Sequence, residues 1–310
     1  MMKVRKFTAF LGAVALTLSM SEAVAEDVVA TRTSETIMTK GGNDVPIAVT
    51  ISGNPQGRPI LFVHGFLAST INWQKQLHSD LGDRYKLVSV DIRGHGSSGK
   101  PANREAYTDT GLVAQDIAAA LRAAEVESPL IVGWSYGGLF VMDYVRHFGT
   151  DNVAGIVLIE TIGGMLPPPP PPPETPERMA RIELSRSANI FTIKKWTDEF
   201  VDYWSAYEEL PADEREMVEL SAMLVPHYVR RHLRDHPVDN SDLVKDIDRK
   251  VLFLNGGESL SPKKGDVDQI QSLIARSTSK IYPGYKSMVQ WYNAAQINAD
   301  IDLFYQTITP

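Results

Sequence analysis

Twelve residues near the middle of the chain, Pro129-Leu130-Ile131-Val132-Gly133-Trp134-Ser135-Tyr136-Gly137-Gly138-Leu139-Phe140, constrain its fold more than any other stretch. A short apolar run opening at Pro129 predicts a strand buried on both faces, as in a parallel sheet. The run ends in Gly133-Trp134-Ser135-Tyr136-Gly137, and Leu139 to Val145 continues with helical spacing. A strand that passes into a helix through so few residues must double back sharply. The flanking glycines are expected to permit that turn, which leaves the Ser135 hydroxyl standing clear at the carboxyl end of the sheet.

The rest of the chain supplies the sheet this strand needs. Thr36–Thr39 and Pro46–Ser52 read as two antiparallel strands around a turn at Gly41-Gly42-Asn43-Asp44. Strands are expected at 59–65, 85–92, 153–159, 250–257 and 280–282, those at 59–65 and 153–159 buried. Helices are expected at 70–81, 111–124, 139–148, 267–275 and 288–305. Alternation of this kind implies an α/β class: a mostly parallel, doubly wound sheet. No internal repeat is visible.

The alternation stops once. Gly163-Gly164-Met165-Leu166 leads into seven consecutive prolines, Pro167 to Pro173. Such a tract enters neither a helix nor an interior strand, and it predicts a stiff polyproline II spacer about 20 Å long at ~3.1 Å per residue. Residues 174 to about 240 then read as amphipathic helices with Trp196, Phe200, Tyr203 and Trp204 closely spaced, either lining a pocket or, as such a stripe more often does, forming the seam where a helical lid packs on its base. The expected organisation is a core over 26–162 and 246–310, with a polyproline and helical cap over 163–245.

Residues 1–25 stand apart. Lys3, Arg5 and Lys6 precede an apolar run from Phe7 to Met20, too short to span a bilayer comfortably, and Ala23-Val24-Ala25 is a small-x-small cleavage site. This is the pattern of a secretory signal peptide cut after Ala25, which predicts a periplasmic or secreted protein with no stable membrane insertion afterwards. Cleavage removes Lys3, Arg5, Lys6 and Glu22 and takes the formal net charge from −7 to −9. That acidity and the scattered basic residues argue against a nucleic-acid partner and leave a small molecule as the expected one. The chain has no cysteine, so thiol chemistry, disulfides and cysteine metal sites are excluded.

Strand, G-x-S-x-G and helix together form a nucleophile elbow. With His64-Gly65-Phe66 after the third strand and Asp91-Ile92-Arg93-Gly94-His95-Gly96-Ser97-Ser98 after the fourth, the chain resembles the α/β-hydrolase family from about Thr36 to its end. The likeness is to the branch of esterases and cofactor-free haloperoxidases. It implies Ser135 as nucleophile, the backbone N–H groups of Phe66 and Tyr136 as oxyanion hole, and neither a metal nor an organic cofactor. Two such amides near a helix N-terminus would stabilise the negative charge that acyl transfer builds on a carbonyl oxygen. His64 is expected to shape its loop, and the 91–98 stretch to be structural, with Asp91 and Arg93 as a possible pair.

Two departures from the family pattern bear on the chemistry. Ser259, in Gly256-Gly257-Glu258-Ser259, stands where the family places its acid after the seventh strand. Lys286-Ser287 stands where the family places Gly-His after the eighth, and no histidine follows His236. A serine hydroxyl is a weak nucleophile without an adjacent base. The remaining candidates for acid and base are Glu160 at the end of the sixth strand, Glu258, Lys286, and His227, His232 or His236 from the cap. Each of these carries a bland alternative: solvated loop ends for the carboxylates, a surface lysine, and a solvated basic helix end for the three histidines. Two functions therefore stay open. One is a serine hydrolase of small esters, lactones or related acyl compounds with an atypical or impaired triad. The other is a non-catalytic pseudo-hydrolase that binds a small apolar ligand. Epoxide hydrolase and dehalogenase chemistry is disfavoured, because it needs a carboxylate at the elbow.

Overall fold

The computed structural model describes residues 33–170, 173–204, 210–259 and 261–309. The expected signal peptide lies outside these residues, as do Pro171 and Pro172 of the proline tract.

Among the described residues eight strands form one sheet in the order β1-β2-β4-β3-β5-β6-β7-β8. They are β1 (Glu35–Lys40), β2 (Pro46–Gly53), β3 (Arg58–Val63), β4 (Tyr85–Val90), β5 (Leu130–Trp134), β6 (Gly155–Ile159), β7 (Lys250–Gly256) and β8 (Ser277–Tyr282). β1 pairs antiparallel with β2 and β2 antiparallel with β4, while every later pairing is parallel. The central strands are apolar throughout because helices cover both faces. Leu61, Val63, Ile131, Ile156, Leu158 and Phe253 pack into one core. The alternate positions Ile60, Phe62, Leu130, Val132, Val157, Ile159, Leu252 and Leu254 pack into the other. With two buried faces, the period-2 alternation leaves no polar stripe.

Two expected helices are divided. Thr70–Leu81 is a 3₁₀ turn (Thr70–Trp73) followed by short helices at Gln74–Leu77 and Leu81–Arg84. The C-terminal helix is Val289–Tyr292 and Ala294–Gln306, entered through a left-handed Met288 at φ 56°. Among the described residues the cap region holds four α-helices, Pro176–Ser185, Ile190–Trp204, Ala212–Met223 and His227–Leu233, and a 3₁₀ turn at Ser241–Asp246. Among the described residues no helix is long and apolar enough to cross a membrane.

Strand order positions the site. β3, β5 and β6 are neighbours, so the residues just past their carboxyl ends, His64–Phe66, Ser135 and Glu160, sit side by side. The ladder runs on past the strands, with Ser135 N–H donating to the Ile159 carbonyl (2.9 Å) and Glu160 N–H to that of Leu254 (2.9 Å).

Candidate active site

At the elbow the strained residue is the serine itself. Ser135 has φ 53°, a left-handed conformation that costs an L-residue of order 1–3 kcal/mol. Gly133 and Gly137 are not in that region, so the expectation that glycines supply the sharp turn is corrected. They are glycine because neighbours crowd them. A Cβ on Gly137 would lie 2.3 Å from the Val63 carbonyl oxygen, and one on Gly133 would lie 3.0 Å from that of Gly137. Small residues here let the elbow helix (Gly137–Phe148) press against β3 and β5, which holds Ser135 in its strained pose.

Ser135 opens onto a cavity of about 620 Å³ between the sheet edge and the cap. Phe66, Trp134, Tyr136, Phe200, Val201, Leu233 and Met288 supply apolar walls, and Ser287 also lines it. Phe66 and Tyr136 meet ring to ring at 5.9 Å. Their backbone N–H groups have no acceptor within the chain among the described residues, as an oxyanion hole requires. The aromatic seam of the cap divides. Trp196 is buried and stacks on Phe200 at 5.1 Å, and Phe200 faces the cavity. Tyr203 turns toward the Arg181 guanidinium.

Glu160 is not the solvated loop-end residue its sequence position suggests. It is buried at 4% exposure and, like Ser135, has a left-handed backbone, φ 52°. Its Oε2 accepts from Trp134 Nε1 (3.1 Å), Ser287 Oγ (3.1 Å) and Met288 N–H (2.8 Å), while Oε1 is buried without a partner. Burial outweighs these donors and the nearby Val289 N–H and pushes its pKa up to about 7. Glu160 and Ser135 also line a second cavity together, with Leu166 and Pro167.

This arrangement revises where the missing acid and base belong. Ser287, at the position expected for histidine, is tied to Glu160 and faces the same cavity as Ser135. Ser259 donates its N–H to the Gly256 carbonyl instead. The carboxylate that faces the base position therefore follows β6, not β7. Among the described residues the Ser135 hydroxyl has no hydrogen-bond partner.

The other candidates lie elsewhere. Glu258 and His227 are exposed, and Lys286 Nζ sits 5.0 Å from the centre of the Tyr203 ring. His236 is corrected from solvated to buried. Its Nε2 is 3.0 Å from Asp143 Oδ2, and its Nδ1 donates to the Tyr107 carbonyl (2.8 Å). Burial disfavours its charged form, yet the Asp143 carboxylate outweighs burial and raises the pKa. The pair lies behind the Tyr136 ring, 5.8 Å from that of His236, and fastens the cap to the elbow helix. Arg230, in the same supposedly solvated stretch, is buried against the carbonyls of Ser185, Val225 and Ser187.

The loops after β3 and β4 are structural. His64 donates from Nδ1 to the Gly65 carbonyl and accepts the Ile92 N–H at Nε2, so it is neutral, and burial lowers its pKa. Asp91 and Arg93 do not pair. Asp91 accepts from the backbone of Thr70 and Ser97, while Arg93 forms a fully buried bidentate pair with Asp116 at 2.6 and 2.7 Å. Sequence reading missed Asp116 because an acidic residue inside an apolar helix carries no local mark of its partner. Asp143 was missed for the same reason.

A family model described as alpha/beta hydrolase fold matches residues 58–207. The chain is an α/β-hydrolase-fold protein. Among its relatives, a non-heme haloperoxidase of Rhodococcus erythropolis is 25% identical over 264 residues, covering 81% of this chain and 93% of that one. A bifunctional esterase/perhydrolase of Acinetobacter calcoaceticus is 25% identical over 270 residues, covering 81% and 92%. The crystal structure of an esterase from Rhodococcus sp. ECU1013 superposes with a TM-score of 0.77 at 23% identity, covering 88% of this chain and 99% of that one, a likeness of fold.

Proposed function

We propose that this protein is an exported serine hydrolase of small esters, lactones or related acyl compounds, with Ser135 as nucleophile and no imidazole in its relay. The observation that carries the reading is the pairing of a strained, cavity-facing Ser135 with a buried carboxyl group beside it. Glu160 near pH 7 is poised between its two forms, which suits a general base. Acting through Ser287, it would draw the proton from Ser135 as the oxygen attacks, while the amides of Phe66 and Tyr136 stabilise the oxyanion. A hydroxyl relay is a far weaker proton acceptor than imidazole, so slow turnover is expected. The N-terminal 25 residues support export, by their charge, length and cleavage site.

The unpartnered Ser135 hydroxyl favours a second reading, a binding protein that retains scaffold and pocket without chemistry. One experiment separates the two: label the mature protein with a fluorophosphonate and measure 4-nitrophenyl acetate hydrolysis, each against Ser135→Ala. The hydrolase reading predicts labelling and turnover that both vanish in the variant. Absence of any Ser135-dependent signal in either measurement leaves the binding protein.

A further inference from the structure

The cavity over Ser135 is apolar on the sheet side and cationic on the cap side. Arg178, Arg186 and Arg234 all line it. Arg178, Ile182 and Arg186 follow one another at four-residue intervals along one face of the Pro176–Ser185 helix and its end, and that face looks into the cavity. Arg234 comes from beyond the His227–Leu233 helix. Its guanidinium is anchored to Ser185 Oγ (3.0 Å) and lies 6.0 Å from the centre of the Phe66 ring, beside the candidate oxyanion hole.

Three guanidinium groups in one cavity repel one another unless a counter-charge joins them. Arg234 is exposed at the rim of the cavity, and partial desolvation there, with the nearby Arg186 and Arg178, lowers its pKa. Among the described residues none of the three is in an ion pair. Arg186 Nε is buried with no acceptor. Two carboxylates share the lining, but Asp235 is spent on Arg104 (2.7 Å), and Glu174 is exposed. This excess of positive charge arises in a chain whose formal net charge is −7. A buried donor without an acceptor is costly, and a planar guanidinium matches a carboxylate with two parallel hydrogen bonds.

We propose that the substrate is anionic: an ester or lactone that carries a carboxylate several bonds from the scissile carbonyl, held by Arg178, Arg186 and Arg234 while the carbonyl reaches Ser135. The inference rests on the hydrolase reading for the word substrate, and on the cavity alone for the anion.

Two measurements test it. The first compares kcat/KM for mono-4-nitrophenyl glutarate with that for 4-nitrophenyl valerate, which has nearly the same shape and no charge. The second titrates glutarate, with glutaramide as the neutral control, into Ser135→Ala by calorimetry. The expected results are at least a tenfold preference for the charged ester, glutarate binding that weakens with added salt, and no comparable binding of glutaramide. Arg186→Gln and Arg234→Gln, each shown to fold, should each cut glutarate affinity roughly tenfold or more and collapse the preference, with Arg186→Lys keeping part of both. Ser135-dependent hydrolysis without preference for the charged ester overturns the anion proposal and leaves the hydrolase standing. Glutarate binding that depends on the arginines, with neither ester hydrolysed, does the reverse. Binding indifferent to salt and to the arginines overturns the proposal as well.

Discussion

Replacing Ser287 by histidine should convert a weak site into an efficient one. Ser287 faces the Ser135 cavity and already contacts Glu160 Oε2 at 3.1 Å, and the cavity of about 620 Å³ has room for an imidazole. Glu160 Oε1 is buried with no donor, so Nδ1–H of the new ring finds a vacant acceptor without displacing Trp134 or Met288. That bond would fix the tautomer that leaves Nε2 free to take the Ser135 proton. The imidazolium formed during reaction would also hold Glu160 ionised, below its present pKa of about 7. Removing the base from an intact triad costs ~10⁶ in kcat, and an error of about 1 Å in its placement costs ~10². A transplanted histidine is therefore expected to raise kcat/KM for 4-nitrophenyl acetate by ~10²–10⁴, or about 3–5 kcal/mol of transition-state stabilisation. On the hydrolase reading no second substitution at Ser259 is needed, because Glu160 after β6 takes the part of the acid. Initial rates of Ser287→His, alone and combined with Ser135→Ala or Glu160→Gln, measure this. The reasoning fails if the folded variant shows no gain, or if the gain survives Ser135→Ala. A gain unaffected by Glu160→Gln would place the acid elsewhere.

Two further outcomes follow from the buried charges. Folding raises the pKa of Glu160 from the usual 4.5 to about 7, so the protonated form is the one the fold favours. Its contribution is full below about pH 4.5 and is lost as pH rises through 7. Wild type should lose about 3 kcal/mol relative to Glu160→Gln between pH 4.5 and 8 in urea denaturation, and a pH-independent difference would refute this. Asp116→Asn should cost roughly 3–5 kcal/mol, because it leaves the Arg93 guanidinium, 1% exposed, without its counter-charge. A loss of about 1 kcal/mol or less by the same method would mean that the carbonyls of Gly42 and Leu112 suffice to hold it.

The sequence by itself determined the architecture. Apolar runs alternating with amphipathic segments dictate a covered parallel sheet, and the 129–140 stretch locates its turn at Ser135. Patterns of that kind are local, and backbone hydrogen bonding together with burial translates them directly into elements. Helix continuity was less legible, since Met288 gives no local sign of its left-handed turn. What tertiary structure alone decided is every partnership between distant residues. Glu160 ends an apolar strand as many loop residues do, and only the approach of Trp134, Ser287 and Met288 makes it a buried acid. Asp116 with Arg93, Asp143 with His236, and the convergence of Arg178, Arg186 and Arg234 on one cavity arise in the same way. A charge shows in sequence what it is, but its burial and its neighbours belong to the packing of segments far apart in the chain, and those set its protonation and its chemistry.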